Sequence, residues 1–168
     1  EKKTVVAAFT DDIVGNVVAD DGRVDSTSVR VYAVDSVPSR SGELARYVWG
    51  VGAVYTPKFA VRPTFRLDRI GRGGDHSPFH RMGDPALRFT ERLEDTKRQH
   101  LPTDDLSGVN FSYVANTARL NVATVASLAS APAPVDSVFA RRDRASGGQK
   151  WTINWKAGPA ASSWRSIR

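Results

Sequence analysis

The sequence predicts an α/β protein, and three observations carry that reading. Short apolar, β-favouring runs alternate with segments of helical spacing, the pattern of a sheet packed on both sides by helices. The first run, Val5-Val6-Ala7-Ala8-Phe9-Thr10, ends in Asp11-Asp12 and then Gly15, so it reads as a buried strand delivering acid at its C-terminal edge. After Ala129 the texture changes to a Ser/Ala/Pro stretch followed by strands alone, which reads as a linker and then a separate β segment.

The remaining elements follow in order. Val29–Val34 alternates like a strand after the Asp20-Asp21-Gly22-Arg23 turn. Ser41–Trp49 reads as a helix capped by Ser41, with Leu44, Ala45 and Val48 inward. Phe59–Leu67 reads as a strand in which Pro63 argues for an edge or a break. Ser77-Pro78 opens a short helix, with proline at a tolerated first-turn position. Pro85–Thr90 is a short strand, and Glu91 at its end is expected as an exposed acid, with a place near a bound substrate as the alternative. Asn110–Ser130 is the longest helix, with Val114, Ala118, Val122, Val125 and Leu128 near one face. In the tail, Ser137–Arg142 and Trp151–Trp155 read as antiparallel strands, with Trp151, Ile153 and Trp155 on one face. That tail is too short to close a sandwich core, so Trp164 and the two strand tryptophans are expected to stay partly exposed.

Composition narrows the function classes. With 168 residues, 40% of them hydrophobic and 25% charged, the chain has room for about one domain. The absence of cysteine excludes a disulfide scaffold, a thiolate metal site and a cysteine nucleophile. No apolar run approaches the roughly 18 residues of a membrane span, so no membrane partner is expected. Net charge is +6, but the basic residues are scattered and no recognition helix, zinc finger or aromatic RNA-binding strand accompanies them. A nucleic-acid partner is therefore not expected.

Three motifs carry chemistry. Gly71-Arg72-Gly73-Gly74-Asp75-His76-Ser77-Pro78-Phe79 places a histidine beside a carboxylate after a glycine-rich bend. An imidazole nitrogen binds zinc, a nearby carboxylate can hold the ring, and the glycines allow the sharp turn. Asp12 stands at the end of the first strand, where ligands bind in open α/β sheets. His100-Leu101-Pro102-Thr103-Asp104 precedes the longest helix, so His100 and Asp104 orient a site, line its rim, or simply cap a turn. His80 lies four residues beyond His76, a spacing that can bring two imidazoles to one helix face, although Pro78 between them argues against a second ligand.

These motifs, in this order, resemble the secreted di-zinc aminopeptidases, a zinc-dependent exopeptidase family that also includes glutaminyl cyclases. The resemblance runs from about Val5 to Ala129, with Asp11 in place of a frequent Asn and Leu101 in place of a usual Thr. It implies a mixed-sheet zinc exopeptidase domain with helices on both faces, of which residues 1–130 form the C-terminal part. Residues 131–136 would then be a linker and 137–168 the start of a fibronectin-like β-sandwich. The implied metal ligands are Asp12 and His76, one to each of two zinc ions, with Asp75, His100 and Asp104 as orienting or rim residues. The family's first His, bridging Asp and Glu-Glu pair precede this region, and no segment here matches them. No catalytic residue is thus expected in this chain, which is expected to be inactive by itself. The implied whole is an aminopeptidase that removes N-terminal residues from peptides by metal-activated water and is secreted or periplasmic, with any targeting segment upstream of Glu1. Its expected partners are a peptide substrate and either the N-terminal part of the same enzyme or a second copy of the chain. The alternatives are a glutaminyl-cyclase-like enzyme and a non-catalytic structural or assembly fragment.

Overall fold

Strand β4 (Ala86–Glu91) organises the first part of the molecule, because all six of its residues are buried. It lies between β1 (Ala8–Asp11), which it meets in parallel, and β2 (Ser28–Ala33), which it meets antiparallel. β3 (Ala60–Phe65) pairs in parallel with β2, giving a mixed sheet of order β1-β4-β2-β3. The computed structural model describes residues 4–34, 39–66, 68, 72–131, 135–156 and 164–167. Leu67 of the expected strand, Gly71 of the glycine bend, residues 132–134 of the expected linker and the side chain of Trp164 lie outside the described residues. Two compact units are present, Glu1–Leu128 and Ala129–Arg168.

Pro63 lies in edge strand β3, where its missing N–H breaks no ladder on the outer side. The alternation of β2 and β4 puts Val29, Val31, Leu87 and Phe89 into one apolar core with Leu44, Ala45 and Val48. Those last three are the inward positions of helix α1 (Arg40–Tyr55), which packs on β2, β3 and β4. The cap is Ser39, not Ser41: Ser39 has extended backbone and its Oγ accepts from Gly42 N at 2.9 Å. The helix therefore begins two residues before the start a Ser41 cap implies, and Ser41 is buried inside it, accepting from Ala86 N at 3.1 Å. At Gly52 a Cβ would meet Val61 Cγ2 at 2.6 Å and Leu120 Cδ1 at 3.3 Å, so glycine permits the close approach.

Helix α3 (Phe111–Ala129) buries Tyr113, Thr117, Leu120 and Thr124, a different stripe from the expected one. Val122 and Val125 are 69% and 52% exposed. The physical reason is that the two threonines carry their own hydrogen-bond partners into the core. Thr117 Oγ1 donates to Tyr113 O at 3.2 Å and Thr124 Oγ1 to Leu120 O at 2.9 Å. Tyr113 is fixed by its hydroxyl, which donates to Ser28 O at 2.8 Å. No helix among the described residues is long and apolar enough to cross a membrane.

The second unit is an antiparallel sheet of order β5 (Ser137–Arg142), β6 (Trp151–Lys156) and β7 (Trp164–Ile167). Within it Val138, Phe139, Trp151 and Ile153 are exposed.

Candidate metal centre

The site is assembled where β1 ends. Asp12 follows the last residue of β1, and its backbone N donates to Phe89 O at 3.0 Å, continuing the ladder with β4 by one step. His76 is the first residue of helix α2 (His76–Arg81), which packs on β4 and β1. Gly74 stands between the two side chains: a Cβ built on it would lie 2.6 Å from Asp12 Oδ2 and 3.1 Å from His76 Nδ1. The carboxylate and the ring nitrogen therefore face one small space, which glycine keeps open.

His76 is 7% exposed, and its Nδ1 is buried without a hydrogen-bond partner among the described residues. Burial lowers its pKa, and neighbouring His80 and Arg88 lower it further, while Asp12 and Asp75 pull the other way. A neutral imidazole with an unengaged buried nitrogen beside a carboxylate is the donor pair that zinc takes. Two donors are fewer than the three a catalytic zinc usually draws from protein. Among the described residues no group of three or more His, Asp or Glu side chains is set to hold a metal. The pair fits part of a zinc site.

The other expected residues are distributed as follows. Asp75 is exposed, and no hydrogen bond links it to His76 Nδ1. His80 packs edge-to-face on His76 with centroids 5.2 Å apart, but its Nε2 is engaged with Ala86 O at 2.7 Å. His100, which has a left-handed φ of 63°, and Asp104 line a cleft of about 510 Å³ that Asp12 also lines. The structure thus gathers Asp12, His100 and Asp104 around one cleft and sets His76 against Asp12 through Gly74.

The sequence reading gave Arg88 and Arg72 no role of their own in this region. Arg88, 1% exposed, reaches Asp12 Oδ2 through Nε and Asp68 Oδ2 through its terminal nitrogen, both at 2.9 Å. Arg72 of the glycine-rich segment extends the chain of charges, 3.5 Å from Asp68 and 2.6 Å from Glu94, and Arg30 closes it by pairing with Glu94. Three guanidiniums and three carboxylates therefore alternate away from Asp12, so each charge stands against an opposite one. Glu91, expected as an exposed acid, is 2% exposed and lines the cleft. Its place on the inward face with Leu87 and Phe89 explains the difference. Burial pushes its pKa up to about 7 against the lowering effect of bonds from Asn16 and Gly15. A signal was present in Arg88-Phe89-Thr90-Glu91: three polar residues inside a run that must be a central strand need buried partners.

No family model matches the chain. Similar proteins are found in fungi, each named a probable zinc metalloprotease. The protein of Pyrenophora tritici-repentis is 33% identical over 151 residues, which is 73% of this chain and 31% of that protein. The protein of Leptosphaeria maculans is 34% identical over 150 residues, covering 72% of this chain and 34% of the relative. That of Pyricularia oryzae is 34% identical over 164 residues, covering 80% and 33%. The likeness runs over most of this chain, and each of these relatives carries the name of a zinc metalloprotease. The chain spans about a third of the length of these relatives.

Proposed function

We propose that this chain contributes part of the metal centre of a zinc-dependent aminopeptidase, supplying Asp12 and His76 while the remaining ligands and the proton-shuttling acid come from other sequence. The observation that carries the reading is the buried, unpartnered His76 Nδ1 facing Asp12 across Gly74, beside the cleft. Zinc, when bound, supplies Lewis-acid polarisation of the scissile carbonyl and a water of lowered pKa. The chain's own residues do the rest of the local work. His76 offers a neutral nitrogen, Arg88 orients the Asp12 carboxylate through Oδ2, and the cleft lined by His100 and Asp104 receives the peptide.

In this reading the intact enzyme holds two zinc ions and is secreted or periplasmic. The β5-β6-β7 sheet belongs to a fibronectin-like module, and the first unit associates with the N-terminal part of the enzyme. The length of the fungal relatives supports a longer polypeptide. The test is hydrolysis of an aminoacyl anilide and zinc content, measured on this chain alone and on the longer polypeptide carrying it. Activity confined to the longer form, lost on chelation and restored by zinc, is expected. A folded, zinc-loaded longer form that cleaves no N-terminal residue would sink the aminopeptidase reading.

A further inference from the structure

The loop after Asp12 is held by β4 in an unusual way. Ile13, a β-branched residue, has a left-handed φ of 63°, a backbone state that persists only where the surroundings impose it. The impositions come from two consecutive residues of β4. Thr90 Oγ1 donates to Asp12 O at 3.0 Å, on one side of the Ile13 peptide. Glu91 N donates to Ile13 O at 2.9 Å, and the Glu91 side chain then reaches past it. Its Oε2 accepts from Gly15 N at 3.2 Å and from Asn16 N at 2.9 Å. One carboxylate oxygen thus gathers two successive backbone N–H groups of the turn that follows the candidate ligand.

We propose that Glu91 is a positioning residue for Asp12, fixing the Ile13–Asn16 turn so that the Asp12 carboxylate is presented to the metal. It rests on the zinc reading above. Glu91 does not enter the pair of donors itself: what it supplies is a fixed acceptor at the right reach. A cluster of acids would act through charge, whereas this role depends on length. Replacing Glu91 by Gln keeps the reach and an acceptor oxygen but removes the charge. Replacing it by Asp keeps the charge and withdraws the acceptor by one methylene, too far to hold both N–H groups.

The two variants are therefore compared in the longer polypeptide that carries this segment, with zinc affinity measured by competition against a chromogenic chelator and with kcat and KM for an aminoacyl anilide. Glu91→Asp is expected to weaken zinc by about tenfold or more, the usual effect of losing a group that orients a ligand. Glu91→Gln is expected to lose less, and kcat should fall with zinc occupancy while KM at saturating zinc stays close to that of the parent. The reverse order, Gln worse than Asp, would show that Glu91 acts through its charge and overturn the proposal. Equal zinc affinity in both variants and the parent would overturn it as well. A parent protein that binds no zinc would instead remove the underlying metal reading, a result recognisable before either variant is made.

Discussion

Gly74→Ala is the most direct probe of the shared space between Asp12 and His76. The added Cβ would stand 2.6 Å from Asp12 Oδ2, 3.1 Å from His76 Nδ1 and 3.3 Å from His76 Cε1. To reach ordinary contact, Oδ2 must retreat by roughly 0.8 Å, and it is not free to do so. Arg88 Nε holds it at 2.9 Å, and the Asp12 backbone is tied to Phe89 O at 3.0 Å. Moving it loosens a guanidinium that is 1% exposed and has Asp68 as its other partner. Overpacking of this kind costs about 1–3 kcal/mol. Felt at the metal, that corresponds to a loss of about 5- to 150-fold in zinc affinity. The control is Gly50→Ala in α1, where a Cβ meets nothing within 4 Å. There the helix should gain about 0.5–1 kcal/mol. Urea denaturation of the chain and chelator competition on the longer polypeptide read both effects. If Gly74→Ala leaves zinc affinity intact and behaves like Gly50→Ala in stability, the two side chains do not share a space that glycine keeps open.

Other expectations follow from single features. Glu91 ionises near pH 7 in the folded chain and near 4.5 when unfolded, so the folded state holds its proton more tightly. Its contribution is present below pH 4.5 and is lost as pH rises through 7, by on the order of 3 kcal/mol, and Glu91→Gln should flatten that slope in denaturation curves taken across pH. Arg88→Met should destabilise by about 3–5 kcal/mol, because Asp12 would lose its described ion pair and Asp68 would keep only Arg72, and a smaller loss would mean the pair is wetter than it looks. On α3, Leu120→Ala should cost about 2–5 kcal/mol while Val122→Lys stays within about 0.5, and the opposite ranking would restore the stripe expected from the sequence. His76→Ala should abolish or strongly weaken one zinc position in elemental analysis of the longer polypeptide. His80→Ala should leave the metal and cost about 1 kcal/mol for its lost bond to Ala86 O, and equal zinc loss from both would promote His80 to a ligand.

Much of the fold was legible because hydrophobic periodicity and punctuation act locally. Val29–Val34, Pro85–Thr90 and Ser137–Arg142 reappear as β2, β4 and β5 within a residue or so. Misreadings arose where polar atoms bring their own partners. Threonine at 117 and 124 counts as polar on any scale, yet its hydroxyl is satisfied within the helix, so the buried stripe of α3 moved away from the valines. Ser39 and Ser41 are both acceptable caps by type, and only backbone geometry separates them. For the candidate site, Asp12 and His76 were singled out through motif order, and the structure places them on either side of Gly74. Arg88 was passed over and Glu91 was expected exposed, because pairing across 76 residues of sequence leaves no local trace.

The buried polarity of β4 makes sense only together with the turn it faces. A central strand with Arg88, Thr90 and Glu91 fully inside would be unstable if those groups lacked partners, since an unsatisfied buried polar group costs kilocalories. Each of the three finds its partner in the stretch 12–16: Arg88 on the Asp12 carboxylate, Thr90 on the Asp12 carbonyl, Glu91 on the Gly15 and Asn16 amides. The dependence runs in both directions. The turn holds Ile13 in a disfavoured backbone state, which those same bonds impose. Strand and turn therefore stabilise one another, and the element they jointly fix is the carboxylate that faces His76. An apolar β4 would keep the backbone bonds to Asp12 and Ile13 but lose the side-chain hold on the Asp12 carboxylate and on the Gly15 and Asn16 amides. The polar residues are accounted for by what they hold in place, which is why the same strip of sequence serves both the packing of the sheet and the geometry of the candidate metal centre.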